Sequence, residues 1–308
     1  MVTAAGASPG ASPSAPAAAE GPPGGVWVGI SGAPESTPRS GSAHAVERCR
    51  QLGLDALEMA WVHRVSMTEN GAAAVRQAAE RHGVRLSVHA PYYINLNSPD
   101  PDVVAASKKR IADAARAAAW CGARDVVLHL GFVHDDPPAV VLERMAAALS
   151  EVGAGLAREG VQVTLRPEVM GRASQFGDLE DVLALCREVK GLAPCIDIAH
   201  LHARGGAWNS RAEFDRLWDR VLAELGPGAL ADAHVHLSGI EYGDKGEVRH
   251  LPLGDSDLDH RGFLAVMAER GVGGSLVVES PAREADAVLV AQTWRELVAR
   301  RGGGAPQP

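Results

Sequence analysis

Short apolar runs, rich in Val, Ile and Leu, alternate along the chain with longer segments whose apolar residues recur at helical spacing. Runs that are apolar on both faces are typical of parallel strands covered by helices. The pattern predicts eight strands, at residues 26–30, 54–59, 84–89, 125–129, 161–165, 194–198, 230–237 and 275–278. It also predicts eight helices, at residues 43–51, 69–82, 101–121, 137–159, 179–189, 211–225, 261–270 and 284–300.

Predicted strands and helices alternate strictly, and several helices end at a glycine, as at Gly83, Gly122 and Gly160. This alternation favours parallel strands joined by crossover helices. Eight such units in a chain of 308 residues predict a single-domain α/β fold, a closed (β/α)8 TIM barrel over residues 26–301. An open doubly wound sheet is the alternative, but no G-x-G-x-x-G motif follows the first strand.

The two ends of the chain differ in composition from the predicted barrel. Residues 1–25 are almost entirely Ala, Pro, Gly and Ser, and residues 302–308 are similar. Such segments bury too little apolar surface to offset the entropy of ordering, so we predict disordered tails. Residues 1–25 lack the basic and apolar regions of a secretory signal, and no stretch is long and apolar enough to span a bilayer. We therefore expect a cytoplasmic protein with no membrane partner.

Charge and cysteine content narrow the functional classes. The net charge is -8 with His neutral, so no general basic field attracts nucleic acid, although bound metal ions can supply local positive charge. The four cysteines are widely scattered and form no C-x-x-C pair, which argues against a thiolate zinc site and a disulfide framework. Buried free thiols in a reducing compartment are the expectation.

Most of the predicted strands end in, or are soon followed by, a histidine or a carboxylate. In a TIM barrel these carboxyl ends form the catalytic mouth. The residues expected there are His89, His129, Glu168, Asp197, His200, His234, His236, His250 and Glu279. They supply nitrogen and oxygen ligands suited to zinc, manganese or iron, and they are too many for one four-coordinate ion. Any one of them alone has an equally good structural explanation, and the coincidence at one mouth is what favours a metal site.

Other polar and aromatic residues are predicted around this mouth or away from it. Tyr92, Tyr93, Trp61 and Arg64 fall on loops at the rim, where aromatics can stack on bases or sugars and arginine can bind phosphate. Five other histidines lack a strand end, and we expect them to be solvated or at the surface: His63, His82, His134, His202 and His260.

These motifs together resemble the endonuclease IV family of apurinic/apyrimidinic endonucleases, within the xylose-isomerase-like barrel superfamily. The segment His89–Leu96 is similar to the family's H-x-x-Y-x-I-N-L stretch, and Asp197 with His200 resembles its I-D-x-x-H motif. Glu279 begins a Glu-Ser-Pro sequence that resembles the family's terminal E-T/S-P. The resemblance covers nearly the whole chain between its tails.

The resemblance implies a cluster of two or three Zn²⁺ ions, with Mn²⁺ as the other candidate. It implies one ion on His89, His129 and Glu168, and a third on His200 and His250. The second ion would lie on Glu168, Asp197, Glu279 and a histidine of the seventh strand. For that histidine we choose His236, because its H-L-S-G sequence looks like the family's H-L-N-D turn, although His234 could substitute.

The resemblance also implies an activity and a partner. The expected reaction is metal-hydroxide attack on the DNA backbone at abasic sites, with Glu168 bridging ions and helping to hold the nucleophile. Tyr92 and Tyr93 fall at positions that contact damaged double-stranded DNA in this family, and no obligate protein partner is implied. Some positions depart from the family pattern. Its D-x-H motif is Val248-Arg249-His250 here, so its aspartate is missing and Glu247 stands one residue early.

Three functions remain open at this point. The first is the abasic-site phosphodiesterase. The second is a sugar isomerase or epimerase with one divalent ion on Glu168, Asp197, His236 and Glu279, in which carboxylates or a lysine move protons. The third is a binding protein with a degenerate site. The number of metal ions per chain discriminates among them.

Overall fold

The structure, a computed structural model, describes residues 21–302. Most of the predicted disordered tails, residues 1–20 and 303–308, lie outside the described residues. The remaining part of the first tail has structure, because Pro23–Gly25 form a 3-10 turn. Trp294 Nε1 donates a hydrogen bond to the Pro23 carbonyl at 2.9 Å, which holds this turn against the last helix.

Eight parallel strands form the barrel, in the order β5-β4-β3-β2-β1-β10-β7-β6. Their bounds are β1 Val26–Ser31, β2 Ala56–Ala60, β3 Arg85–His89, β4 Asp125–Leu128, β5 Thr164–Pro167, β6 Cys195–Asp197, β7 Ala233–Leu237 and β10 Gly274–Val278. β5 and β6 approach through the isolated parallel bridges Leu165–Leu192 and Glu168–Cys195, which nearly close the barrel. The predicted TIM barrel is confirmed. β8 (Gly239–Gly243) and β9 (Gly246–Leu251) form a separate antiparallel hairpin.

Ten helices accompany these strands in the described part of the chain. They are α1 Ser42–Gln51, α2 Glu69–His82, α3 Pro101–Cys121, α4 Pro138–Arg158, α5 Leu179–Glu188, α6 Ile198–Ala203, α7 Arg211–Leu225, α8 Pro227–Ala231, α9 His260–Arg270 and α10 Glu284–Gly302. Helix boundaries follow local signals. Thr68 accepts a hydrogen bond from the Gly71 amide at the start of α2, and Gly83 ends that helix in the left-handed conformation. No helix in residues 21–302 is long and apolar enough to cross a membrane.

Besides the short helix α6, which was not predicted, the structure differs from the sequence prediction in three places. β5 begins at Thr164 rather than at residue 161 and includes Arg166. β7 begins at Ala233 rather than at residue 230, because α8 occupies residues 227–231. The predicted loop at residues 238–257 contains the β8–β9 hairpin. The apolar pattern did not predict the bounds of β5 because the charged Arg166 points into the barrel, where it is only 1% exposed.

The interior of the barrel is polar, and its lower layer consists of paired charges. Arg166 Nε lies 2.7 Å from Asp125 Oδ1, and Arg85 Nη2 lies 3.2 Å from Asp125 Oδ2. Both arginines also contact the Asp232 carboxylate, at 2.7 and 3.3 Å. Burying a charge is costly unless it is paired. These contacts explain how a barrel can keep ionised groups where branched apolar residues usually pack.

Candidate metal centre

The polar side chains that end the barrel strands converge on one mouth. Side chains alternate along a strand, so Arg85, Ser87 and His89 of β3 share its inner face, with His89 uppermost. The residues of the other strands that lie at the height of His89 point into the barrel mouth for the same reason. His129 follows β4, Glu168 follows β5, Asp197 ends β6, His236 lies in β7 and Glu279 follows β10. The sequence expectation that strand ends meet at one site is therefore realised in the fold.

Glu168 lies at the centre of this mouth and is buried. Its Oε2 atom lies 2.9 Å from His129 Nε2 and 3.2 Å from His89 Nε2. Its Oε1 atom lies 3.2 Å from His236 Nδ1 and 3.4 Å from His200 Nδ1. One carboxylate thus faces four imidazoles, two on each oxygen, which is the arrangement needed to bridge two cations.

The possible ligand atoms fall into overlapping groups, and the atoms of each group lie within 4.8 Å of one another. Two groups contain the residues that the family resemblance implied, namely His89–His129–Glu168 and Glu168–Asp197–His236–Glu279. A further group, Asp197–His200–His250, adds Asp197 to the two histidines expected at the third ion. We call them the first, middle and third groups. The first and middle groups share Glu168, and the middle and third groups share Asp197. The geometry can therefore accommodate three ions linked by two carboxylates.

The third group is built by elements that the sequence pattern did not reveal. Asp197 caps the short helix α6, where its Oδ1 accepts a hydrogen bond from the His200 amide at 2.8 Å. The β8–β9 hairpin carries His250 to the site, so that His250 Nε2 lies 3.1 Å from His200 Nε2. The same hairpin places Glu247 Oε2 3.6 Å from His200 Nε2. Glu247 therefore lies beside the third group.

Hydrogen bonds to backbone carbonyls orient three of the imidazoles. His89 Nδ1 donates to the Ala90 carbonyl at 2.8 Å, His200 Nδ1 to Val169 at 3.1 Å and His250 Nδ1 to Glu279 at 3.1 Å. A carbonyl can only accept, so each Nδ1 carries a proton and each neutral ring presents a lone pair on Nε2. When both rings are neutral, the lone pairs of His200 and His250 face each other at 3.1 Å. A proton or a metal ion between the two nitrogens removes this repulsion, so the donor set fits a cation.

The electrostatics of the mouth also favour cations. Burial lowers the pKa of His89, but the hydrogen bond and charge of Glu168 outweigh it and raise the pKa to about 9. Asp197 and Glu168 similarly raise the pKa of His200 to about 10. Burial and the charge of Glu168 raise the pKa of Asp197, whose Oδ2 makes no hydrogen bond among the described residues. The buried carboxylates concentrate negative charge at the mouth, and either protons or metal ions must balance it.

Two aromatic residues and a cavity lie beside these groups. The Tyr92 ring stacks on His129 with centroids 5.2 Å apart, and Tyr93 is 62% exposed. Burial and the nearby carboxylates raise the pKa of Tyr92, so its hydroxyl stays protonated. A cavity of about 410 Å³ opens at the mouth and is lined by Ser31, Glu35, Tyr92, His250, Glu279, Ser280, Pro281 and Arg283. The cavity therefore reaches two residues of the ligand groups, His250 and Glu279.

Several expectations for individual residues were wrong or incomplete. His202, expected at the surface, is 1% exposed and contacts the Ala207 carbonyl and Asp257. Trp61, expected on the rim, is buried, whereas the exposed Phe132 was missed. His63 and His134 are exposed as expected, while His82 and His260 are half-buried.

Sequence reasoning also missed Glu58, which lies fully buried in β2. It contacts His234 and His236 at 2.9 and 3.1 Å. The available signal was a glutamate inside an apolar strand. His234 lies one layer below the mouth beside Glu58, and it joins a fourth group of possible ligands with Cys195 and His236. The strand-7 residue in the middle group is His236, the one chosen from the sequence.

Comparison with known families agrees with the TIM-barrel fold. Residues 46–300 match the model of the xylose isomerase-like TIM barrel family. The chain belongs to this family. Among curated relatives of this xylose isomerase-like barrel is an uncharacterised protein of Methanocaldococcus jannaschii, which is 37% identical over 82% of this chain and 92% of its own length. A probable endonuclease 4 of Symbiobacterium thermophilum is 26% identical over 79% of this chain and 90% of its own length.

Solved structures of two kinds share the fold of this family member. Endonuclease IV from Thermus thermophilus superposes with a TM-score of 0.70 at 21% identity, covering 88% of this chain and 98% of that one. A D-tagatose 3-epimerase-like protein superposes with a TM-score of 0.68 at 21% identity, covering 89% of this chain and 98% of that one. The fold is thus common to a nuclease and an epimerase-like protein, and the chain's own residues must decide between them.

Proposed function

We propose that this protein is a multi-metal phosphodiesterase that cleaves the backbone of damaged double-stranded DNA at abasic sites. The observation that carries the proposal is the set of three overlapping ligand groups, which share Glu168 and Asp197. A sugar isomerase needs only one of them. Resemblance to probable endonuclease 4 supports the choice of substrate. Zn²⁺ suits the histidine and carboxylate donors, with Mn²⁺ as the alternative.

The ligand assignment follows the three groups. His89, His129 and Glu168 would hold one ion, and Glu168, Asp197, His236 and Glu279 a second. His200 and His250 with Asp197 would hold the third, and we propose Glu247 as an additional ligand there, replacing the missing aspartate. Bound zinc lowers the pKa of coordinated water and offsets phosphate charge, which is the chemistry that phosphodiester hydrolysis requires.

Side chains around the ligands have complementary tasks. Glu168 contacts a histidine of the first group through Oε2 and a histidine of the middle group through Oε1, and it therefore keeps the two groups adjacent. The protonated Tyr92 hydroxyl can donate a hydrogen bond to a phosphate oxygen at the mouth. Tyr93 and Phe132 are exposed aromatics that can stack on bases next to the lesion. Arg283 lines the same cavity and supplies positive charge on a chain whose net charge is -8.

A cleavage assay tests the proposal directly. The full chain, loaded with zinc, is incubated with an end-labelled duplex that contains one abasic-site analogue. We expect one metal-dependent nick at the lesion, loss of that nick in His89→Ala, and no loss in His82→Ala, a matched control on the far end of α2. Absence of a nick above the His89→Ala background would show that the proposed activity is wrong.

A single-ion isomerase or epimerase is the second candidate, favoured by the middle group alone, which offers four ligands to one ion. Elemental analysis separates the two. Two or three ions per chain support the nuclease, and one ion with turnover of a ketose supports the isomerase. Less than one ion and no turnover would indicate a degenerate binding protein. All four cysteines are buried and unpaired, which is consistent with the cytoplasmic location that we also propose.

A further inference from the structure

Glu58 is a buried carboxylate that belongs to none of the three ligand groups. It lies on the inner face of β2, one layer below the mouth, and is fully buried. Its Oε2 atom accepts a hydrogen bond from Ser87 Oγ at 2.8 Å and lies 2.9 Å from His234 Nε2. Its other oxygen, Oε1, lies 3.1 Å from His236 Nε2. The carboxylate therefore joins two histidines of β7.

His236 differs from the other histidines of the centre in how its ring is oriented. Backbone carbonyls contact the rings of His89, His200 and His250, and all three direct Nε2 towards the ligand groups. His236 directs Nδ1 there instead, at 3.2 Å from Glu168 and 3.4 Å from Glu279. Its Nε2 points down into the barrel, where the strand carbonyls are engaged in the parallel sheet.

The contact between Glu58 and His236 determines which nitrogen carries the proton. Neither Glu58 Oε1 nor His236 Nε2 makes a hydrogen bond to any group among the described residues, so the contact between them at 3.1 Å is an ion-pair contact. A lone pair on Nε2 would face an anionic oxygen at 3.1 Å in a buried environment, which is strongly unfavourable. An N–H on Nε2 is attracted to that oxygen. The Nδ1 lone pair is then free to face Glu168 and Glu279.

We propose that Glu58 is a positioning residue of the metal centre, which fixes His236 as the Nε2–H tautomer so that Nδ1 is its metal-binding nitrogen. Ser87 and His234 hold the carboxylate in place for this task. Carboxylates that accept a proton from a metal-binding histidine orient its ring and raise its basicity. The inference rests on the proposed metal centre and concerns its middle group.

The first test is spectroscopic and uses the wild-type chain. Nitrogen-15 NMR of histidine-labelled, zinc-loaded protein, assigned with His236→Gln, reports which nitrogen of His236 carries a proton. We expect the proton on Nε2 and the metal on Nδ1. A proton on Nδ1 would overturn the proposal, whatever the behaviour of any variant.

The second test measures zinc affinity. Glu58→Gln supplies only one acceptor oxygen to two histidines, and we expect zinc affinity of the middle group to fall by roughly 10–100-fold in chelator competition. Asp125→Asn is the matched control, because Asp125 is also a buried barrel carboxylate but does not contact His236. Ser87→Ala keeps both histidine contacts of Glu58, so we expect a smaller loss of affinity than in Glu58→Gln.

The outcomes separate this inference from the proposed function. Unchanged zinc affinity in Glu58→Gln, or an equal loss in Asp125→Asn, would show that Glu58 only stabilises the barrel. If Glu58→Gln does not fold, the NMR experiment still decides. Zinc binding with the expected tautomer but no DNA cleavage would refute the proposed function and leave the role of Glu58 intact.

Discussion

The substitution Gly171→Ala tests how the third ligand group is assembled. Gly171 lies in the loop after β5, and its carbonyl accepts a hydrogen bond from the Glu247 amide at 3.1 Å. Glu247 belongs to β9, so this contact docks the hairpin on the barrel. Gly246 also lies close to Gly171, since a Cβ added to Gly246 would lie 2.1 Å from the Gly171 carbonyl oxygen.

The size of the effect follows from the space around Gly171. An added Cβ would lie 2.7 Å from Glu247 Cβ, 3.2 Å from Glu247 Oε2 and 3.3 Å from His200 Cδ2. The first contact is too short for real atoms, and the Cβ of Glu247 cannot move without its backbone. Overpacking of this kind costs about 1–3 kcal/mol. Since a site works only within roughly 0.5 Å of its productive geometry, the shift should displace both Glu247 and His200 from the third ion.

Elemental analysis and chelator competition measure the result. We expect Gly171→Ala to lose the third ion and the DNA-cleaving activity while it retains the other ions. Gly153→Ala in α4 is the control, because nothing lies within 4 Å of its added Cβ. It should keep all ions and gain about 0.5–1 kcal/mol of stability. Full metal content and activity in Gly171→Ala would refute the reasoning that the hairpin docks through this glycine.

Three further predictions concern other parts of the molecule. Glu168→Gln should lower zinc affinity at both the first and middle groups by more than about 100-fold, because Glu168 belongs to both groups and is the proposed ligand in each; unchanged metal content in elemental analysis would contradict it. Asp125→Ala should cost about 3–5 kcal/mol in urea unfolding, because it removes the buried partner of Arg166 and Arg85 and leaves both arginines only the part-exposed carboxylate of Asp232; a loss below 1 kcal/mol would contradict it. Metal-free protein should lose stability as the pH rises, since the folded pKa values of His89 and His200, about 9 and 10, exceed the ordinary 6.5. The two histidines contribute fully to the free energy of unfolding below pH 6.5. Above that pH the contribution of each falls by about 1.4 kcal/mol per pH unit, up to its folded pKa. A free energy of unfolding that stays constant with pH in urea titrations of chelator-treated protein would exclude this effect.

Much of the centre was predictable because its ligands stand at strand ends. The carboxyl ends of parallel barrel strands meet at one mouth whatever the helices between them, so His89, Glu168 and Asp197 could be placed together before any distance was known. The choice of His236 over His234 came from the turn that follows it. In the structure His236 lies with the middle group and His234 lies below it. Whether these residues bind metal stays a prediction.

The amino-acid pattern by itself determined the barrel, eight of the ten helices in the described residues and the residues at its mouth, because apolar periodicity and strand-end chemistry are local properties. Only the tertiary structure decided the polar interior, where Glu58 meets His236 and Arg166 meets Asp125 across strands far apart in sequence. Such pairs produce no periodic pattern in the sequence. A charged residue in a predicted strand therefore indicates the end of that strand until its partner is located. The docking of Glu247 on Gly171 is of the same kind, since it depends on where a hairpin folds back in space.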